Sequence, residues 1–155
     1  MRKFTPILIS LSIILTAFQT VKECDTYAMK GVLKKELKPD YKYDSAKTTR
    51  FYYKAKKQVK VLEIPLYRGE KYKFLFNTEG LTKDIGIQIY TKPLDNKKTE
   101  MLFELKPTAD KTIYEFEPEK SRKMYLVYKI PAVENPTQQK DCMVMVLGYA
   151  LKINL

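Results

Sequence analysis

The amino-acid sequence predicts an all-β fold: an antiparallel, jelly-roll-like β-sandwich of seven or eight short strands, led by one short helix. Three observations predict it. From about Thr48 onward apolar residues recur at every second position, the period of a half-buried strand. Clusters of Pro, Gly, Asn and Asp separate these rows at short intervals, as sandwich loops do. Only one segment spaces its apolar residues by three and four, and nothing alternates strand with helix as a parallel sheet requires. At 155 residues and 45% hydrophobic content, the chain is long enough for one domain with a core of its own.

The elements follow in order. Met1-Arg2-Lys3 precedes an apolar run from Ile7 to Phe18, interrupted by Ser10, Ser12 and Thr16. A cationic start and an apolar stretch too short to span a bilayer are the signature of a signal peptide. The expected division is therefore a signal peptide at 1–20, a helix and lead-in at 21–47, and the sandwich at 48–155. Losing the signal removes Arg2 and Lys3 and no acid, so +9 of the formal +11 stays with the mature chain.

The spacing predicts a helix over Cys24–Lys38. Asp25 is its cap, Met29, Val32, Leu33 and Leu37 its apolar face, and Pro39 its stop. The strand rows are Tyr72-Phe74-Phe76, Ile85-Ile87-Ile89, Met101-Phe103-Leu105, Tyr114-Phe116, Met124-Leu126-Tyr128-Ile130 and Cys142-Val144-Val146. Between Lys57 and Tyr67 the apolar phase shifts from Val59 and Val61 to Leu62, Ile64 and Leu66. A bulge near Val61-Leu62 would reconcile the two, and Pro65 marks a strand end or a sheet edge. Gly69 sits where two apolar strands must reverse, a place for a glycine-favouring backbone.

The run Glu63-Ile64-Pro65-Leu66-Tyr67-Arg68-Gly69-Glu70-Lys71-Tyr72-Lys73-Phe74, followed by Ile87-Gln88-Ile89-Tyr90, resembles secreted bacterial sandwich modules of the pre-peptidase C-terminal type. The likeness spans roughly residues 50–152. It implies a sandwich that binds or packs rather than catalyses. The helix and the cysteine pair are additions to that pattern.

Cys24 and Cys142 are the only cysteines. In an exported chain they are expected to form a disulfide, the alternative being two separate buried thiols. Closing so long a loop contributes about 4.7 kcal/mol on the chain-entropy model. No histidine is present. That removes Ser-His-Asp and Cys-His catalysis and leaves the two thiolates short of a tetrahedral zinc set. No phosphate-binding or dinucleotide motif appears, and Asp40, Asp44 and Asp95 do not follow a calcium-loop spacing. No enzyme activity, cofactor or metal is expected.

Charge is what remains. Lys and Arg outnumber Asp and Glu by 29 to 18, and only Arg2, Arg50, Arg68 and Arg122 among the cations are arginine. Lys54, Lys56, Lys57 and Lys60 crowd one stretch, with Lys71 and Lys73 on the solvent side of the next strand. Were those strands neighbours, the six would make one basic strip, a candidate site for anionic glycan or lipid head groups. Their alternative role is solubility and protection of sheet edges. Tyr, with 12 copies, fits cross-strand packing better than a sugar platform. Glu115 and Glu117 share one strand face, directed at solvent. Nucleic acid is not expected as a partner, because the chain carries an export signal and little arginine. The expectation is thus an exported binding module, periplasmic or extracellular, with no transmembrane span after signal removal. Its rival is a structural or assembly subunit contacting an envelope protein.

Overall fold

The structure, a computed structural model, describes residues 24–136 and 140–151; the expected signal peptide lies outside the described residues. The Asp25 carboxylate accepts a hydrogen bond from the Ala28 amide at 2.9 Å and starts α1 (Thr26–Glu36). Lys34 and Lys35 stand in its last turn, where cations complement the helix dipole. Met29, Leu33 and Leu37 are buried, one above another at four-residue steps. Val32, expected beside them, is 41% exposed.

Eight strands follow: β1 (Lys42–Tyr52), β2 (Gln58–Ile64), β3 (Glu70–Asn77), β4 (Gly86–Tyr90), β5 (Met101–Glu104), β6 (Ile113–Phe116), β7 (Met124–Ile130) and β8 (Lys140–Leu151). They form two antiparallel sheets ordered β1-β8-β3-β6 and β2-β7-β4-β5, the connectivity of a jelly roll. The expected fold class is what the chain adopts. Between the sheets lies an aromatic and aliphatic core. Phe103 stacks on Phe76 and Phe116, and the ring of Phe51 meets Tyr128 edge-on at 5.1 Å.

A second core lies outside the first sheet. Met29, Leu33 and Leu37 of α1 cover Leu75, Cys142, Val144 and Val146. This makes β8 buried on both faces: Met143, Met145 and Leu147 point between the sheets while the expected row faces the helix. Gly148 lets the helix end come this close, since a Cβ there would collide with the Leu37 side chain. Cys24 is bonded to Cys142 with Cα atoms 6.1 Å apart, tying the start of α1 to the central strand as expected.

Two expectations change. β1 begins at Lys42, ahead of the expected onset at Thr48, because its polar half is held by the ladder to β8 and not by burial. β2 pairs with β7 from Gln58 to Ile64 with no register shift, so the bulge at Val61-Leu62 is absent. As an edge strand, β2 can leave Val59 and Val61 59% and 44% exposed and turn only Leu62 and Ile64 inward. Register shifts occur elsewhere: between Tyr43 and Ser45 where β1 meets β8, and at Ile89/Tyr90 between β4 and β5, where Met101 is exposed and Phe103 packs against the core.

Candidate functional site

Jelly-roll connectivity gathers four loops at one end of the sandwich: residues 53–57, 78–85, 105–112 and 131–136. The disulfide lies at this end, where the Cys142 amide donates to the Gly80 carbonyl at 3.0 Å. The loops are tied to one another. Val133 donates its amide to the Lys54 carbonyl at 2.9 Å, and Thr78 reaches the Thr112 carbonyl through its amide at 2.8 Å and its hydroxyl at 3.1 Å.

A buried carboxylate completes the ties. Asp141 is 1% exposed and makes no ion pair with a described residue. Its charge is met by the Tyr53 hydroxyl at 2.5 Å, the Thr82 amide at 2.6 Å and the Thr82 hydroxyl at 3.0 Å. Burial, reinforced by this bond to Asp141, pushes the Tyr53 phenol well above its ordinary pKa. Two clefts flank the 78–85 loop. One, of about 550 Å³, runs between Tyr53, Thr82, Asp84 and the 131–135 segment; the other, of about 250 Å³, opens toward Pro107, Lys111 and Tyr114. Lys83 lines both.

The six lysines expected to form one strip are divided by this architecture. Lys54, Lys56 and Lys57 lie together on the exposed 53–57 loop, and Lys60 is exposed on the adjoining edge strand. None of the four makes an ion pair with a described residue. Lys129, level with Val59, and Lys140, whose ammonium lies 5.8 Å from the Tyr52 ring, extend the positive charge at this end. Lys71 and Lys73 are elsewhere. β2 and β3 belong to different sheets and are not neighbours, and the start of β3 lies at the opposite end.

Lys73 is also neutralised. Its ammonium stands 3.2 Å from Glu115 and 2.9 Å from Glu117, and 5.1 Å from the Tyr41 ring. The hydrogen bond from Lys73 holds the Glu117 carboxyl below the usual carboxylate range, and the same bond raises the Lys73 ammonium. The two glutamates that share a strand face are thus occupied with one lysine.

Sequence reasoning missed Tyr53, Thr82 and Asp141, whose partners are separated by 59 and 88 residues. The available signal was a lone acid opening the apolar run that begins at Cys142. Among the described residues no cluster of acids and cysteines is placed to hold a metal, and no helix is long and apolar enough to cross a membrane. No protein-family model matches the chain, and neither a curated protein nor a solved structure shows significant similarity to it.

Proposed function

We propose that the chain is an exported, non-catalytic binding module of a bacterial envelope that engages anionic polymers through the disulfide end of its sandwich. The single observation that carries this reading is the group Lys54, Lys56, Lys57 and Lys60, exposed and unpaired with any described acid, on the 53–57 loop and the adjoining edge strand at the end pinned by Asp141 and the disulfide. Ammonium groups held on a rigid platform need little ordering when a polyanion arrives. Lysine, as a point charge, attracts phosphate, sulfate and carboxylate alike without bidentate selectivity. A disulfide agrees with an oxidising compartment, which is where such polymers lie. The resemblance to accessory modules of the pre-peptidase C-terminal type points the same way.

The test is binding to dextran sulfate at low and physiological salt. Affinity should fall steeply as the screening length shrinks to about 8 Å. Changing Lys54, Lys56 and Lys57 together to Gln should weaken binding by roughly 10-fold or more, at about 1 kcal/mol per lysine near a charged surface. The matched triple Lys97, Lys98 and Lys120 to Gln, all exposed near the opposite end, should change it little. Equal losses would mean that net charge alone attracts the polymer.

A second reading, an assembly subunit, is favoured by one feature. Edge strand β2 displays Val59 and Val61 beside an unpaired backbone, the arrangement through which two copies can join sheets. Sedimentation should then show a dimer that Val61→Lys dissolves; a monomer at all concentrations removes this reading.

A further inference from the structure

The opposite end of the sandwich carries a second cationic feature of a different kind. Where α1 turns into β1, a groove of about 600 Å³ is rimmed by Lys34, Lys35, Lys38 and Lys42, with Tyr41 and Tyr43 in its wall. No acid lines it; Glu36 and Asp40 belong to the same segment but not to the groove. Leu37 and Pro39 complete an apolar floor. The Lys34 ammonium lies 4.0 Å from the centre of the Tyr43 ring, so the aromatic wall and the positive rim are one surface. Tyr43 in that wall is itself 42% exposed, and Pro39 beside it is exposed as well.

Free phosphate or a sulfated chain would use the lysines and leave these apolar groups in water. An anionic phospholipid uses both. Its headgroup is met by the ammonium groups, whose long stems extend to the lipid surface, while Tyr43 and Pro39 enter the interfacial layer that favours amphipathic rings. We propose that the α1–β1 corner is a docking surface for bilayers containing anionic phospholipid. This contact is independent of the lysines at the disulfide end. The main apolar face of α1 is spent on the sheet, so the attachment is shallow and chiefly electrostatic, at about 1 kcal/mol per lysine near the surface.

The experiment is co-sedimentation of the disulfide-bonded protein with vesicles of equimolar phosphatidylglycerol and phosphatidylcholine, and with vesicles of phosphatidylcholine alone. Binding to the anionic vesicles should be roughly 100-fold stronger, and it should fall by roughly 10-fold or more when Lys34, Lys35 and Lys38 are changed to Gln. The Lys54, Lys56 and Lys57 triple should bind vesicles as the parent does, whatever its effect on dextran sulfate. Tyr43→Ser keeps every charge and should still weaken vesicle binding, by about threefold. Soluble glycerophosphate should not displace the protein. Equal loss in the two lysine triples, equal binding to both vesicles, an unaffected Tyr43→Ser variant, or displacement by glycerophosphate would each overturn the proposal.

Discussion

Gly69 has a φ of +90°, the one positive φ recorded among the described residues, and a Cβ there would meet nothing within 4 Å. The need for glycine is therefore one of backbone conformation and not of space. Gly69→Val should cost about 1–3 kcal/mol, read as a lower urea midpoint with an unchanged slope. Gly31 is the opposite case. It lies inside α1 with ordinary helical backbone and open space around a future Cβ, so Gly31→Ala should add about 0.5–1 kcal/mol. If both substitutions moved the midpoint the same way, backbone conformation would not be the deciding term. Asp141 sets a third case at this scale. Tyr53→Phe removes one of its donors without changing the packed ring, and should cost about 1–3 kcal/mol because a buried carboxylate is left short of a partner. A stability loss no larger than that of an exposed Tyr27→Phe control would show that Thr82 alone suffices.

Elements with one covered face are those that periodicity exposes. Tyr72, Phe74 and Phe76, or Met124 to Ile130, alternate because the opposing sheet covers one side fully while the other side is covered only in part, at Leu75 beneath α1 and at Val127. Periodicity fails where that asymmetry fails. The first half of β1 has no alternation because neither of its faces is well covered, and β8 reads as a continuous apolar run because both are. Val59 and Val61 suggested a bulge only because exposed valines on an edge strand are indistinguishable from buried ones in a one-dimensional pattern. The disulfide was legible from cysteine count alone, yet its consequence needs the fold: it fastens α1 to β8, a strand that contributes to both cores. Replacing Cys24 and Cys142 with Ala should lower stability by about 2–5 kcal/mol. Amide exchange should rise first in α1 and the 78–85 loop, since these depend on the clamp more than the sheets do. Uniformly faster exchange across β7 and β4 would place the effect in the unfolded chain instead.

At the scale of the whole molecule, the lysines were legible as residues but not as a site, because spacing along the chain does not reveal which sheet a strand joins. Topology sent Lys71 and Lys73 to the end opposite Lys54, Lys56 and Lys57 and gave Lys73 to two glutamates. The same topology distributes four buried or half-buried tyrosines through both sheets and the helix junction, and these set a pH limit on the fold. Burial, with the Glu117 hydrogen bond second, pushes Tyr41 up to about 12, and burial with the Glu70 hydrogen bond does the same for Tyr72. Tyr53 and Tyr128 are raised further in the same direction, chiefly by burial. A phenol whose folded pKa is raised binds its proton more tightly when folded. Its contribution is complete below the unfolded value near 10 and is lost as pH climbs through the folded one. Lys73, also raised, adds to the loss on the same side, while lowered Glu117 acts only in acid, where its contribution disappears as pH falls through its folded value. Stability should therefore decline steadily between pH 10 and about 12, with tyrosinate absorbance from these four rings appearing together with unfolding and not before it. Tyr72→Phe removes one titrating group and should make the decline shallower even though it lowers stability at neutral pH by losing the bonds to Glu70 and Tyr67. A decline as steep in Tyr72→Phe as in the parent, or complete ionisation of all tyrosines while the sheets remain folded, would show that the buried phenols do not set the limit.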